Sequence, residues 1–313
     1  MNKIPIVFTF NHYVLMPAGV CLNSLLRSAN KNTFYDIYIM HGDEDLLDNH
    51  KNELNKLKYI YSNFDLNYIN IGHEFDHVHL ARGVPKVTYY RILIPDYFHN
   101  YDKVIFSDVD IIFRGDLSDI YRNTSLDGAC LAAVKSTSLK INYVKSLGCD
   151  PEKYTNGGFQ IYNIPILRSN NIKERQLALC GNKYFYLDQD ITNIVCKDKI
   201  KFISPGYNST QTFFHIANKN RKTLSSKYSE VEIDEGLNPV VIHYNGLNPW
   251  QGLCHRHDIW WEEYMKSIYF NNEFYFQHYN KILNPTGKEL FKLLPKALFK
   301  NNIWRIYRKL FPW

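Results

Sequence analysis

The 313-residue chain has no run approaching the eighteen apolar residues of a membrane-spanning helix. It has no CxxC pair among six cysteines, no phosphate loop of the form GxxxxGK followed by Ser or Thr, no internal repeat and no Pro- or Gly-rich linker. The first absence argues against a helical span, and the missing phosphate loop argues against the phosphoryl-transfer enzymes that carry one. Cysteines scattered at 21, 130, 149, 180, 196 and 254 make neither a zinc ribbon nor a disulfide framework. Cys21, Cys130 and Cys196 lie in apolar periodic segments and read as buried free thiols of a reducing compartment. An N-terminal apolar stretch that ends at Asn11-His12 is too short for an export signal, so a cytosolic location is expected. Excess charge is also scarce. The net charge is +6, yet Lys281–Trp313 alone carries eight Lys or Arg against Glu289, leaving −1 over the preceding 280 residues. A near-neutral body argues against a broad nucleic-acid-binding face.

Aromatic residues are abundant: 24 Tyr, 19 Phe and 5 Trp, amphipathic surfaces suited to sugar or nucleobase pockets and to core filling alike. Hydrophobic periodicity predicts strands at 4–10, 34–40 and 65–71 alternating with helices at 17–28 and 44–59. A further helix is expected at 88–94, ended by Pro95, then a single strand over 103–113 carrying Asp108 and Asp110. Beyond it, strands are expected at 129–134, 159–163, 200–203 and 240–243, and helices at 172–180 and 188–196. Residues 207–236 are polar and aperiodic and read as a loop or lid. This alternation predicts an α/β fold with a parallel or mixed sheet and helices on both faces. The domain reading is 1–265 for the body and 266–313 for a C-terminal appendage.

Four constellations carry chemistry. Asp108 and Asp110 follow the apolar run Lys103–Ser107, where strand alternation points both carboxylates to one side. The pair either holds a divalent cation at the carboxyl end of a strand, or each Asp bonds its own backbone in a turn. His243 closes the run Val240-Val241-Ile242 ahead of Gly246, as a cation ligand or as a satisfied strand histidine. Two carboxylates with one imidazole would suit Mn²⁺, with Mg²⁺ possible. Thr155-Asn156-Gly157-Gly158 reads as a turn into a strand, where backbone can approach a ligand or simply reverse. Asp188-Gln189-Asp190 opens a helix, where acids cap free N–H groups or grip hydroxyls. Two histidine groupings, His73-His77-His79 and Cys254-His255-His257, lack four convergent ligands at zinc spacing.

Taken together, Asp-x-Asp, Asn-Gly-Gly, Asp-Gln-Asp and His-x-x-Gly…Pro-Trp occur in an order that resembles glycosyltransferase family 8, from about Ile4 to Trp261. The phrases Thr88-Tyr89-Tyr90-Arg91 and Arg114-Gly115-Asp116-Leu117 support it. The resemblance implies a GT-A fold, Rossmann-like with a mixed sheet, and a UDP-sugar donor. It implies uridine contacts from Thr9, Asn11 and Tyr13, with Asn11 standing where relatives usually carry Asp. It implies Arg91 near the donor phosphates and sugar, Asp108, Asp110 and His243 as Mn²⁺ ligands, and donor contacts from Val109, Asn156, Gly157, Gly246 and Asn248. Asp188, Gln189 and Asp190 correspond to positions at the donor sugar, with Gln189 and Asp190 facing the anomeric centre. The implied reaction is retaining transfer of glucose or galactose to a cell-envelope glycan, with a phosphate oxygen of the donor taking the acceptor proton. Relatives read His-x-x-Gly-x-x-Lys-Pro-Trp, whereas this chain is one residue shorter and has no lysine there. Arg256, His255 or His257 are the expected substitutes for that cation.

From Lys288 to Trp313 aromatic and leucine residues interleave with Lys and Arg, broken by Pro295, as at a membrane interface. Each basic residue near an anionic surface contributes about 1 kcal/mol. A lipid-linked acceptor and association with the inner face of the cytoplasmic membrane are therefore expected. A glycogenin-like self-glucosylating enzyme and an inactive UDP-sugar-binding protein are the competing readings.

Overall fold

In the computed structural model, which describes residues 2–81 and 83–283, strands and helices alternate as the periodicity predicts. The first part runs β1 (Asn2–Thr9), α1 (Leu15–Arg27), β2 (Thr33–His41), α2 (Asp48–Asn55), β3 (Phe64–Asn70), α3 (Ile94–Tyr97), β4 (Lys103–Ser107) and β5 (Ile111–Phe113). There follow α4 (Ser118–Asn123), β6 (Leu131–Lys135), α5 (Ile141–Ser146), β7 (Thr155–Asn163), α6 (Ile164–Ser169), α7 (Ile172–Leu177), α8 (Asp188–Val195) and β8 (Ile200–Phe202). The last elements are β9 (Ser209–Thr210), α9 (Gln211–Asn220), α10 (Glu230–Leu237), β10 (Val241–His243), α11 (His257–Lys266) and α12 (Asn272–Leu283).

Seven strands form a mixed sheet in the order β3-β2-β1-β4-β7-β6-β8. β1 to β4 are parallel, and β7 runs antiparallel to both β4 and β6. Alternate side chains of one strand feed different cores, because successive residues point to opposite faces. Ile4, Ile6 and Phe8 pack with α1 and α2 on one face, while Val7, Val104 and Phe106 pack with Tyr89, Tyr90 and the helices α6 to α8 on the other. Burial on both faces explains why these strands read as continuous apolar runs.

Four expectations need correction. Pro95 begins α3 after a 3-10 segment at Lys86–Leu93 and does not end a helix, since its missing N–H is harmless in a first turn. The run 103–113 is two strands. β4 belongs to the large sheet, whereas β5 pairs antiparallel with β10 in a separate three-stranded sheet of order β5-β10-β9. Asp108 and Asp110 therefore sit in the crossing between sheets, and strand alternation is not what brings them together. Asn156, Gly157 and Gly158 lie within β7 and form no turn. Residues 207–236 are mostly helical: Thr210 caps α9, and Ser229 with Glu232 forms a capping box on α10. Phe213, Leu224, Tyr228 and Ile233 give this segment its own small core.

The chain divides into two units, 1–269 and 270–313, and α12 is the described part of the second. The basic aromatic tail from Lys288 onward lies outside the described residues. Among the described residues no helix is long and apolar enough to cross a membrane. All six cysteines are free, five of them buried.

Candidate active site

The crossing from β4 to β5 creates the site. Asp108 is tied to the large sheet by its N–H, which donates to the Gly158 carbonyl at 2.9 Å. The Asp110 carbonyl accepts from the N–H of Tyr244 at 2.8 Å, beyond the end of β10. His243, the last residue of β10, pairs in register with Ile111, and so stands beside Asp110. Its Nε2 lies 3.2 Å from Asp110 Oδ1 and 3.7 Å from Asp108 Oδ2. One ligand atom from each of Asp108, Asp110 and His243 lies within 4.8 Å of the others, the single such group of three among the described residues. A cation with bonds of roughly 2.0–2.6 Å can bridge that span, so the donor set fits a divalent ion with mixed O and N ligands. Asp110 has no lysine or arginine partner among the ion pairs of the described residues, and the two carboxylates share no counter-charge beyond Arg91 and His243.

Arg91 is buried and forks between two acids, with Nη2 donating to Asp108 Oδ1 at 2.8 Å and Nε lying 3.0 Å from Asp188 Oδ2. Its Nη1 donates to the Gly157 carbonyl at 2.6 Å, and its guanidinium lies 3.8 Å from the Phe106 ring centre. A planar five-donor cation suits such a junction. Burial pushes the Asp188 carboxyl above the usual carboxylate range, and Arg91 opposes it. Asp108 is also pushed up by burial, with Arg91 opposing and the like charge of Asp110 adding to it. For His243 burial favours the neutral ring, but Asp110 and Asp108 outweigh it and hold the imidazole above its ordinary value.

Two adjoining hollows share Arg91, Asp108 and Asp110. The larger, about 480 Å³, is lined also by Asn156, Gly157, Asp188, Gln189, His243 and Gly246. The smaller, about 230 Å³, is lined by Thr9, Asn11, Val109, Asn248 and Trp250. Asn248, which lines this hollow, keeps its Oδ1 buried without a hydrogen-bond partner. Gly158 is required by contact: a Cβ on it would lie 2.2 Å from His243 Cε1. Leu187, at φ 53° and ψ −126°, is a strained non-glycine residue whose buried side chain anchors the start of α8, delivering Asp188 and Gln189 to the cleft. Gln189 Oε1 accepts from the Gly157 N–H at 3.1 Å.

Two expected site residues stand elsewhere. Tyr13 is 83% exposed in a 3-10 turn and lines neither hollow. Asp190 is fully buried and accepts from Tyr143 Oη at 2.7 Å, Tyr154 Oη at 2.5 Å and the Tyr186 N–H at 2.7 Å. Residues two apart on a helix point about 200° apart, so Asp188 and Asp190 cannot both face the cleft. The proposed stand-in Arg256 donates to the Leu237 carbonyl and lies over Phe214, and neither hollow includes it. Sequence reasoning missed Ser136, Thr137, Ser138, Thr210 and Thr212, which also line the larger hollow. It also missed Asn208, which touches His243. Thr210 was detectable as a helix cap, whereas nothing local singles out the others.

The family model described as glycosyl transferase family 8 matches residues 5–254. A Haemophilus influenzae protein is 27% identical over 261 residues, covering 80% of this chain and 73% of its own length. Glycosyltransferase GlyB of Streptococcus pneumoniae is 26% identical, covering 83% of this chain, and the match spans 61% of that protein. The lipopolysaccharide 1,3-galactosyltransferase of Salmonella typhimurium is 26% identical over 58% of this chain, and the match spans about half of it (52%). Among solved structures, the galactosyltransferase LgtC in complex with donor and acceptor sugar analogues superposes with a TM-score of 0.72 at 19% identity, covering 88% of this chain and 100% of its own. The bifunctional WbbM apo structure gives 0.70 at 24%, covering 88% and 52%. These neighbours share the GT-A fold with this chain.

Proposed function

The chain belongs to glycosyl transferase family 8, and from that premise we propose that it moves a hexose, glucose or galactose, from a UDP-sugar to a hydroxyl of a cell-envelope glycan with retention of configuration. The convergence of Asp108, Asp110 and His243 beside Arg91 and Gln189 in one cleft carries this reading. Relatives named as lipopolysaccharide galactosyl- and glucosyltransferases support the acceptor class.

In this reading the carboxylates of Asp108 and Asp110 and Nε2 of His243 hold Mn²⁺, or Mg²⁺. When bound, that cation offsets the charge of the departing diphosphate. Arg91, held between Asp108 and Asp188, orients these acids and offsets part of the negative charge of the cleft. Uridine occupies the smaller hollow at Thr9, Asn11, Val109 and Asn248, and the sugar lies toward Asn156, Gly157, Asp188, Gln189 and Gly246. The acceptor hydroxyl approaches on the face the diphosphate leaves. Its oxygen bonds to the anomeric carbon as the bond from that carbon to the diphosphate oxygen breaks, and its proton passes to a phosphate oxygen of UDP. Gln189 stabilises the positive anomeric centre by its amide dipole. Two carboxylates flanking the bond, as a retaining glycosidase needs, are not available, because Asp108 and Asp110 are committed to the cation.

The test is incubation with UDP-glucose or UDP-galactose, Mn²⁺ and lipid-linked envelope oligosaccharides, with the product anomer read by NMR. An α-linked product lost on chelation is expected, and a β-linked product ends the retaining assignment. The C-terminal tail is proposed to hold the enzyme at the inner face of the cytoplasmic membrane. Deleting residues after 285 should release it from anionic liposomes, and unchanged binding ends that part. One observation favours a second reading, a UDP-sugar-binding protein without turnover: the family lysine is missing and Arg256 is turned away. Mn²⁺-dependent hydrolysis of UDP-sugar by the purified protein would exclude it.

A further inference from the structure

We propose that Asn208 is a positioning residue that fixes the tautomer and orientation of His243 so that Nε2 presents a lone pair to the corner between Asp108 and Asp110. The inference rests on the metal reading above. It concerns a residue outside the motifs that carry that reading.

Asn208 is 2% exposed, between a 3-10 turn at Pro205–Tyr207 and β9. Its Oδ1 lies 2.8 Å from His243 Nδ1, and its Nδ2 donates to Asn156 Oδ1 at 2.8 Å. Asn156 Oδ1 also accepts from the Gly158 N–H at 2.9 Å. The polarity of this relay is fixed at its far end. A backbone N–H can only donate, so the Asn156 atom facing it is the carbonyl oxygen. The Asn208 atom facing that oxygen must then be the amide nitrogen, which turns the Asn208 oxygen toward His243. An amide oxygen only accepts, so His243 Nδ1 carries a proton, and the lone pair of the neutral ring is on Nε2. That nitrogen is the one beside Asp110 and Asp108. Gly158 closes the other side of the ring, leaving no room for a Cβ. One short stretch of β7 thus supplies both the wall behind His243, from Gly158, and the Asn156 amide that orients Asn208. Asn156 spends its side-chain oxygen on this relay, so its contact with a donor sugar would come from Nδ2. Hydrogen bonds of this kind behind a metal-bound histidine commonly change metal affinity 10- to 100-fold.

The experiment measures Mn²⁺ alone binding to the full-length protein, by loss of the free-ion EPR signal, for wild type, Asn208→Leu, Asn156→Leu and the double variant. All are held well below their melting temperatures. Histidine-selective ¹⁵N NMR of the metal-free protein above the titration range reads the His243 tautomer, assigned with His243→Gln. Expected results are a loss of roughly 10- to 100-fold in Mn²⁺ affinity for Asn208→Leu, and an Nδ1–H ring in wild type that becomes a mixture in the variant. Asn156→Leu should weaken binding less, and the double variant should be no worse than Asn208→Leu, because both act through one relay. Wild-type affinity in Asn208→Leu, or an unchanged tautomer, overturns the inference and leaves the metal reading standing. Failure of the wild-type protein to bind Mn²⁺ overturns both.

Discussion

Asp108 and Asp110 keep 31% and 26% of their side-chain surface open to the cleft and face an imidazole with few donors around them, whereas Asp190 is sealed from solvent and saturated. Three donors converge on Asp190: the hydroxyls of Tyr143 and Tyr154 and the N–H of Tyr186. All three acids look alike in the sequence, as Asp-x-Asp and Asp-Gln-Asp. Their surroundings assign them opposite work. A buried carboxylate whose oxygens accept from tyrosines supports the fold, while two like-charged carboxylates left short of donors could hold a cation. Asp188 falls between the two cases, facing the cleft but neutralised by Arg91 and bonded by Thr88.

The contrast can be broken by exchanging which property each mutation damages. Asp110→Ala should cost about 10³-fold in transfer rate, because a cation is worth several kcal/mol to charge development and each 1.36 kcal/mol is tenfold. Measured at a pH where His243 is neutral, its metal-free melting temperature should not fall, since a like-charge contact with Asp108 is relieved; a lower melting temperature there would make Asp110 a structural residue. Asp190→Ala should act the other way, destabilising by about 3 kcal/mol through unpaired buried donors. That corresponds to a drop of roughly 5–10 °C in Tm, with Asp190→Asn milder because its carbonyl still accepts. Wild-type stability in Asp190→Ala would undo the comparison. Gly158→Ala sharpens it further: the new Cβ displaces His243, and Mn²⁺ affinity measured calorimetrically should fall by about tenfold or more. The smallest effect is expected for Arg256→Ala, a change within about threefold in turnover, as for surface substitutions generally. A large loss there would restore Arg256 as the substitute for the missing lysine.

Much of this was legible along the chain. The alternation of β1 to β4 with helices followed from periodicity, and Asp108, Asp110, His243, Arg91, Asp188 and Gln189 do share one cleft. The segment 207–236 shows no clear helical period because α9 and α10 are short and polar, and their apolar residues pack on one another in a small local core. The Ser229 to Glu232 capping box was the overlooked signal. Hydropathy does not mark the break at 108–110, because Val104-Ile105-Phe106 and Ile111-Ile112-Phe113 are alike apolar although they serve different sheets.

Sequence alone determined the alternation of β1 to β4 with helices, since those preferences depend on neighbours within about one helical turn or a strand's pleat. Tertiary structure decided which carboxylates are bare and which are filled. The tyrosines that close on Asp190 lie 36 and 47 residues away, and the asparagine behind His243 lies 35 away. Hydrogen bonds act over about 3 Å in space whatever the separation along the chain, so only the folded packing of α5, β7, α8 and the turn before β9 could assign those partners.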